Sequence, residues 1–325
     1  MDKLSLYQQQ FLEYLAQNNR VVEPVNLYEP IHYILNLGGK RIRPILTLMG
    51  ADIFGSTPEE ALPAALAVEV FHNFSLVHDD IMDAAPLRRG KATVHTKWDI
   101  NTGILSGDAM LIQAYQNFEA YAPELFLQLA KLFSKTALEV CEGQQYDVDF
   151  ETRSDVTQDE YLHMITFKTA VLVGAAFQMG AIVAERDQKE QEAIYEYGKL
   201  LGIAFQLQDD YLDAFGNPET FGKQVGGDII ENKKTYLYLK AIELGSTSQK
   251  KELLYLFSDA FDGGAVGKIE NAKQLFIETN AAEATQKLIK EYTEKAFEKV
   301  DTLAISQENK QLLIDFGVYL MNRRV

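Results

Sequence analysis

The amino-acid sequence predicts an all-α fold, and two features of the chain support that prediction. Only eight of the 325 residues are proline, and none occurs between Pro123 and Pro218 or after Pro218, so long helices are permitted. Apolar residues recur at helical spacing in several stretches, for example between Leu4 and Leu15, and no stretch alternates like a half-buried strand. Because there is no linker and no fixed-period repeat, we expect one helical domain over residues 1–325.

Sequence signals also place the individual helices. Thr57 and Glu60 form a capping box around Pro58, so a helix should begin there and run to about Asp83. The other helices are expected over residues 26–36, 41–54, 99–120, 123–147, 158–185, 188–215, 233–243, 248–258, 265–300 with a break, and 307–322. Glycine pairs at 38–39, 226–227 and 263–264 are typical of short loops within one domain.

The composition excludes several classes of protein. Asp and Glu outnumber Lys and Arg by 47 to 31, and a net charge of −16 repels nucleic acid and anionic lipid. The longest uncharged stretch, 169–184, is shorter than the ~20 residues of a membrane helix, so we expect no stable membrane insertion. The single cysteine, Cys141, precludes an intrachain disulfide, and the polar amino terminus does not resemble a secretory signal. Both features favour a cytoplasmic protein.

The strongest chemical signal is the pattern Asp-Asp-x-x-Asp, which occurs twice, each time near the carboxyl end of a predicted helix. Like charges one helical turn apart and the helix dipole both disfavour this arrangement. A divalent cation would convert the repulsion into ligation, and carboxylate oxygens suit Mg²⁺. The alternative, a solvated acidic face, is disfavoured because apolar residues such as Phe74 and Phe205 flank the motifs. The predicted metal-binding carboxylates are Asp79, Asp80 and Asp83 of the first aspartate motif and Asp209, Asp210 and Asp213 of the second.

Basic residues cluster beside these motifs. Residues 38–43 place two glycines before a basic helix start, where backbone N–H groups and the helix dipole help to hold phosphate. Residues 88–91 follow the first motif, 222–223 and 232–235 follow the second, and 168–169 open the uncharged helix. Each cluster alone is typical of an ordinary surface, but together, in so acidic a chain, they predict two diphosphate subsites. One would be bridged by Mg²⁺ and the other held by Arg and Lys alone.

In their order along the chain, these motifs resemble those of the trans-isoprenyl diphosphate synthases, which include farnesyl and geranylgeranyl diphosphate synthases. The resemblance runs from about Leu37 to Thr235 and extends to Gly107-Asp108, Gly143-Gln144 and Phe205-Gln206. It implies about a dozen helices around a deep central cavity, a homodimer, and three Mg²⁺ ions per active site in the ligand-bound state. The implied substrates are isopentenyl diphosphate and an allylic diphosphate, which is dimethylallyl, geranyl or farnesyl diphosphate.

The resemblance also assigns a role to each motif residue. Asp79, Asp83 and Asp209 would ligate Mg²⁺ directly, with the other motif aspartates in support. The residues implied for isopentenyl diphosphate are Lys40, Arg43, His72 and Arg89. The residues implied for the allylic diphosphate are Arg88, Lys168, Lys223 and Lys233. The residues implied for catalysis are Lys168, Thr169 and Gln206, the last two lining the site of the carbocation.

The implied reaction begins with ionisation of the allylic C–O bond, assisted by Mg²⁺ and lysines that neutralise the departing diphosphate. The double bond of isopentenyl diphosphate then attacks the allyl cation, and the released diphosphate is the expected base for proton loss. Water must be excluded, so an apolar cavity is a mechanistic requirement.

Product length depends on residues that precede the first motif. Phe74 and Phe71 lie five and eight residues before Asp79, where bulk would form a cavity floor and stop elongation early. Ser75 is small, and the motif lacks the two-residue insertion typical of many bacterial farnesyl synthases. These features predict a product of 15 to 20 carbons. The alternative interpretation is that both phenylalanines only pack between helices.

Three other functions share parts of this pattern. A class I terpene cyclase would carry an Asn/Ser/Glu-type second motif and would need no site for isopentenyl diphosphate, in contrast to Asp209-Asp210-x-x-Asp213 and to Lys40 and Arg43. A non-catalytic regulatory subunit of a heteromeric synthase tends to lose an aspartate motif, and here both are intact. A head-to-head synthase would space its aspartates as Asp-x-x-x-Asp, which neither motif does.

Overall fold

A computed structural model describes residues 2–216, 225–258 and 260–322. The predicted all-α fold is confirmed: within these residues the chain forms sixteen α-helices, a 3₁₀ turn, a π turn and one two-stranded ribbon. The fold divides into two compact units. Unit 1 comprises Met1–Lys135 and Ala175–Tyr195, and unit 2 comprises Thr136–Gly174 and Glu196–Val325.

Unit 1 is organised around α4. Its elements are α1 (Asp2–Asn18), α2 (Val25–Leu35), α3 (Ile42–Ile53), α4 (Pro58–Met82), β1 (Leu87–Arg88), β2 (Lys91–Ala92), α5 (Val94–Lys97), α6 (Ile100–Gln116) and the 3₁₀ turn Asn117–Ala120. The predicted capping box starts α4, where the Thr57 N–H donates to the Glu60 carboxylate at 3.1 Å. Alanines at 61, 64, 65 and 67 are wholly buried, which allows α3 and α6 to pack closely against α4.

Unit 2 contains the remaining elements, three of which also contribute residues to unit 1. Those three are α7 (Pro123–Thr152), α9 (Val171–Val183) and α10 (Gln188–Phe215). The others are α8 (Gln158–Ile165), the π turn Thr166–Ala170, α11 (Gly227–Ile230), α12 (Tyr236–Leu244), α13 (Thr247–Leu256), α14 (Gly264–Glu278), α15 (Ala281–Asp301) and α16 (Gln307–Met321). Their core includes Tyr161, Leu207, Leu237 and Phe276.

Most predicted boundaries lie within a few residues of the observed ones, and the differences have local causes. The expected break in 265–300 falls at Thr279–Asn280, where Asn280 has a φ of 61° and starts α15. The expected single helix 158–185 contains a π turn. The sequence did not predict the ribbon or the four-residue helices, because such short elements show no periodic pattern.

One helical stretch, Gln158–Val183, is long and apolar enough by composition to cross a membrane. The uncharged stretch from 169 looked too short in sequence because Lys168 interrupts it, whereas the helical path continues through Lys168 to Gln158. In its most apolar window, 72% of the residues are buried within the protein. Core helices of globular proteins are often as long and as apolar, so this stretch is only weak evidence for a membrane span.

Candidate active site

The first aspartate motif ends α4. Asp79 and Asp80 belong to the last turn, and Asp83 caps the helix, with the Asp83 N–H donating to the Asp79 carbonyl at 2.8 Å. Asp79 and Asp83 therefore lie one turn apart on one helix face, as their spacing predicts. Asp83 is exposed, whereas Asp80 is buried.

Arg88 explains the burial of Asp80. Arg88 Nε lies 2.9 Å and 2.8 Å from the two carboxylate oxygens of Asp80, and Arg88 Nη2 lies 2.6 Å from Oδ1. The Asp80 side chain is 1% exposed and that of Arg88 is 26% exposed. A buried carboxylate needs such a partner, since an unpaired charge would be strongly destabilising. Asp80 thus binds and orients Arg88.

The β1–β2 hairpin carries Arg88 and also brings the basic cluster at 88–91 into contact with the cluster at 38–43. Arg89 and Gly90, the central residues of the turn, have φ of 51° and 73°, the positive values that a tight two-residue hairpin requires. The Arg89 guanidinium donates to the Gly38 carbonyl. A Cβ atom on Gly39 would lie 2.9 Å from Arg89 Cζ, so this approach depends on the missing side chain.

His72 lies among several arginines. Arg43 donates from Nη1 to His72 Nε2 at 3.0 Å, so this ring nitrogen is an acceptor. Burial lowers the pKa of His72 well below its usual value, and nearby arginine charges lower it further. Those arginines are Arg43, Arg89, Arg88 and Arg41. His72 is therefore neutral near pH 7, and four cations near it in a chain of net charge −16 favour an anionic ligand.

Arg41, which the sequence did not single out, forms a buried ion pair. The side chains of Arg41 and Glu69 are each 2% exposed, and the guanidinium donates to Glu69 and to the Leu35 carbonyl. Asn73 Nδ2 donates to the same Glu69 oxygen at 3.0 Å. Arg41 has a left-handed φ of 50° immediately before α3, so these contacts hold the backbone that leads into Arg43. Of the implied isopentenyl diphosphate ligands, Arg43, His72 and Arg89 come together, and Lys40 is exposed at the start of this segment.

His78, next to the first motif, packs on α6. Its Nε2 lies 3.2 Å from the Ile104 carbonyl, to which it donates. A Cβ atom on Gly107 would lie 2.2 Å from His78 Nε2, so the glycine of the Gly107-Asp108 pair makes room for the ring. His78 therefore serves packing between α4 and α6.

The implied chain-length residues lie in the same helix. Phe71 is wholly buried, with its ring centroid 5.1 Å from that of Phe133, and Phe74 is 9% exposed, 5.6 Å from Phe71. Ser75 is half-buried, and its hydroxyl donates to the His72 carbonyl at 2.9 Å. Phe71 is thus a core residue by its contacts, and Phe74 is buried only slightly less completely.

The second aspartate motif lies in the last two turns of α10. Asp210 is buried and accepts hydrogen bonds from Gln206 Nε2 at 2.8 Å and from the Tyr161 hydroxyl at 2.5 Å. Burial raises the pKa of Asp210 to about 7, and the charge of Asp228 contributes in the same direction. Asp213 Oδ2 accepts from the Asp228 N–H at 3.0 Å, which fixes the start of α11 against the motif. Asp209 is half-buried.

Lys168 and Thr169 lie in the π turn, a distortion that is frequent at functional sites. Lys168 Nζ lies 2.5 Å from Asp147 Oδ2 on α7, and Thr169 Oγ1 lies 3.0 Å from Gln206 Oε1. A Cβ atom on Gly143 would lie 2.2 Å from the Lys168 backbone nitrogen, so the π turn and α7 meet at backbone contact. Asp147, one turn further along α7, is placed to bind the Lys168 side chain.

The other lysines implied for the allylic diphosphate follow the second motif. Lys233 Nζ lies 3.0 Å from Glu231 and 3.8 Å from Asp228. Burial alone would lower the pKa of Lys233, but these two carboxylates raise it above its usual value, so the amine stays charged. Lys223 lies outside the residues that the structure describes.

The carboxylates of both motifs fit Mg²⁺. Within the described residues, no three Asp, Glu, His or Cys side chains are grouped closely enough to enclose a metal ion. Mg²⁺ commonly binds through one or two carboxylates and completes its shell with water and phosphate oxygens. Oxygen ligands one helical turn apart, Asp79 with Asp83 and Asp209 with Asp213, suit that mode of binding.

Besides Arg41, sequence reasoning missed three residues that contact the predicted site residues. Asp147 had a usable signal, because it lies four residues after Gly143 in a motif already singled out. Tyr161 and Asp228 had none, because their contacts to Asp210 and Asp213 join segments that are distant in sequence.

An all-α fold with two Mg²⁺-type aspartate motifs and a neighbouring arginine group defines the trans-isoprenyl diphosphate synthases as a class. The family model described as polyprenyl synthetase matches residues 24–275, and the chain belongs to this family. It is a trans-prenyltransferase with the isoprenoid synthase fold.

Several relatives are similar over nearly the whole chain. A solved structure of a geranylgeranyl pyrophosphate synthase is 58% identical, with a TM-score of 0.95 and 99% of each chain covered. The geranylgeranyl diphosphate synthase of Methanosarcina mazei is 38% identical over 93% of this chain and 91% of the relative. The geranylfarnesyl diphosphate synthase of Natronomonas pharaonis is 36% identical over 96% of this chain and 94% of the relative.

Proposed function

We propose that this protein condenses isopentenyl diphosphate with an allylic diphosphate, head to tail, and that elongation stops at 20 carbons, the upper end of the range predicted from the sequence. The observation that carries the proposal is the contact of Arg88 with Asp80. It joins an aspartate motif to the arginine group near His72, so the carboxylates proposed to bind Mg²⁺ and the cations proposed to bind diphosphate neighbour one another in unit 1.

The roles of the cations follow from their partners. Arg88, oriented by Asp80, and Lys168, oriented by Asp147, would bind the allylic diphosphate together with Lys233 and Lys223. Arg43, Arg89, Lys40 and neutral His72 would bind isopentenyl diphosphate. Guanidinium groups suit this task because each presents two parallel donors to a phosphate.

Mg²⁺ would be held by Asp79, Asp83 and Asp209, with three ions expected when substrate is bound, and it would supply positive charge that makes diphosphate a better leaving group. Thr169 and Gln206 would lie beside the carbocation. No motif side chain is an obvious general base, so the released diphosphate remains the candidate for proton removal. Phe74 would form the floor that limits the product.

The proposed product length is supported by sequence similarity, and the proposed homodimer is supported by exposed apolar residues. A 20-carbon product is favoured by the 58% identity to a geranylgeranyl pyrophosphate synthase. A homodimer is favoured by apolar residues that α6 leaves exposed, Ile104, Leu105 and Ile112. The single cysteine, Cys141, is exposed, which suits a reducing cytoplasm.

Release of diphosphate tests the reaction type. With farnesyl diphosphate and Mg²⁺, we expect release only after isopentenyl diphosphate is added, with one diphosphate released for each isopentenyl unit consumed. Release without isopentenyl diphosphate would indicate a cyclase and contradict the proposal.

A further inference from the structure

Four side chains in unit 2 form one continuous chain of hydrogen bonds. The Tyr161 hydroxyl donates to Asp210 Oδ2 at 2.5 Å, and Gln206 Nε2 donates to Asp210 Oδ1 at 2.8 Å. Thr169 Oγ1 donates to Gln206 Oε1 at 3.0 Å. Tyr161 comes from α8, Thr169 from the π turn, and the other two from α10. We call this set the Tyr161 relay.

The relay has a fixed direction. The Tyr161 hydroxyl donates to one oxygen of Asp210, Oδ2, and the amide nitrogen of Gln206 donates to the other, Oδ1. The amide oxygen of Gln206 must then face Thr169, whose hydroxyl hydrogen is used in that bond. The lone pairs of Thr169 Oγ1 are left for any other neighbour, and they attract positive charge.

Burial makes this direction stable. Tyr161 is 1% exposed, and Asp210 and Thr169 are 8% exposed, so solvent does not readily replace a lost partner. The Tyr161 ring belongs to the core of unit 2 and lies 6.3 Å from the ring of Tyr236. Without the Tyr161 hydroxyl, Asp210 Oδ2 would be buried without this donor, and its carboxylate would be free to turn away from Gln206.

A turned Asp210 would release the Gln206 amide. The amide could then rotate by half a turn and donate to Thr169 instead of accepting from it. The Thr169 hydroxyl hydrogen would then point away from Gln206 and present positive charge to other neighbours. In the structure this hydrogen points toward Gln206.

We propose that Tyr161 is a positioning residue: through Asp210 and Gln206 it holds the Thr169 hydroxyl with its lone pairs outward, so that the oxygen stabilises the allylic carbocation. The inference rests on the proposed function, which places the cation beside Thr169. Tyr161 itself does not touch the substrate. Its hydroxyl sets the sign of the charge that the reacting carbon meets, as expected of preorganised dipoles in an active site.

Two unreactive substrate analogues distinguish an effect on binding of positive charge from an effect on the shape of the binding site. The first is an allylic thiolodiphosphate, whose hydrocarbon is neutral, and the second carries a tertiary ammonium in place of the cationic carbon. Binding of both is measured by calorimetry in the presence of Mg²⁺, so the readout does not depend on turnover. For Tyr161→Phe we expect ammonium affinity to fall about 10-fold or more, the scale of a hydrogen bond to a charged group, and thiolodiphosphate affinity to change by less than about 2-fold.

Tyr197→Phe is the matched control. Tyr197 is also wholly buried, also lies in unit 2, and its hydroxyl donates to the Leu313 carbonyl at 2.7 Å. We expect this variant to bind both ligands like the wild type. In a Thr169→Ala background, Tyr161→Phe should have no further effect on ammonium binding, because the relay acts through Thr169.

Equal loss for both ligands, or no loss for the ammonium, would overturn the proposal. If Tyr161→Phe does not fold, the wild-type crystal structure with the ammonium ligand decides: an intact relay supports the proposal, and an Asp210 turned away from Tyr161 overturns it. Failure of the proposed function would look different, because the wild type would then form no elongated product.

Discussion

Arg88 binds both carboxylate oxygens of Asp80, and this pair lies where the first aspartate motif meets the arginine group near His72. The contact assigns different tasks to neighbouring aspartates. Asp80 orients a guanidinium, while Asp79 and Asp83 lie on the helix face that suits Mg²⁺. The same division occurs in the second motif, where Asp210 orients Gln206.

Arg88→Lys should impair both binding and stability, because an ammonium group cannot form the two parallel bonds to Asp80. We expect KM for the allylic diphosphate to rise about 10-fold and the free energy of unfolding to fall by about 1–3 kcal/mol. Arg153→Lys is the control, since the pair of Arg153 with Asp155 is exposed to solvent, which screens it, and its loss should leave stability and KM unchanged. Steady-state kinetics and urea unfolding measure these effects, and unchanged KM in Arg88→Lys would contradict the assigned role.

Asp79→Ala and Asp209→Ala should each lower turnover by orders of magnitude and leave the fold intact, because each removes a carboxylate expected to bind Mg²⁺. Asp315→Ala, at an exposed position of α16, should keep normal turnover. The comparison uses kcat at saturating Mg²⁺ and circular dichroism. Near-normal turnover in either motif variant would refute the metal assignment.

Gly143→Ala should destabilise the protein and displace the Lys168 side chain. The new Cβ atom would lie 2.2 Å from the Lys168 backbone nitrogen, so the π turn would have to move. We expect a loss of about 1–3 kcal/mol in the free energy of unfolding. Gly267→Ala in α14 is the control: no atom lies within 4 Å of its Cβ, and helix propensity predicts a gain of up to about 1 kcal/mol. Similar stabilities of the two variants, measured by urea unfolding, would show that the close approach is not required.

Phe74→Ala should lengthen the product if Phe74 is the floor. Phe71→Ala should mainly destabilise the protein, by about 3–5 kcal/mol, because Phe71 is wholly buried against Phe133. Mass spectrometry of the products and thermal unfolding separate the two effects. An unchanged product distribution in Phe74→Ala would assign this residue to packing alone.

His72 should make the protein less stable in acid. Its pKa in the folded protein lies well below the unfolded value of about 6.5, because of burial and the arginine charges. As the pH falls below about 6.5, the unfolded chain takes up a proton that the folded protein does not, so stability decreases by up to about 1.4 kcal/mol per pH unit. Above about pH 7.5 this contribution is constant.

Urea unfolding between pH 5 and 8 measures the effect of His72. His72→Gln should reduce the decline in stability toward acid, whereas His163→Gln, at an exposed position, should retain it. An identical pH dependence in the wild type and His72→Gln would contradict a neutral His72 in the folded protein.

Local patterns in the sequence predicted much of this protein. The spacing of Asp79 and Asp83 fixed their common helix face, and the capping box at Thr57 fixed the start of α4, because both depend only on residues within one turn. The partners of the motif residues depend on tertiary packing. Tyr161 reaches Asp210 across 49 positions of sequence, so no local pattern indicates this contact, whereas Asp147 at least lies one helical turn after Gly143 of a recognised motif.

The most direct test of the central claim is the product itself. Purified protein would be incubated with Mg²⁺, isopentenyl diphosphate and, in separate reactions, dimethylallyl, geranyl or farnesyl diphosphate, and the products identified by mass spectrometry. We expect elongation of the starters to a 20-carbon diphosphate. No elongation of any starter, by folded protein that still binds Mg²⁺ and diphosphate, would contradict the assignment as a synthase.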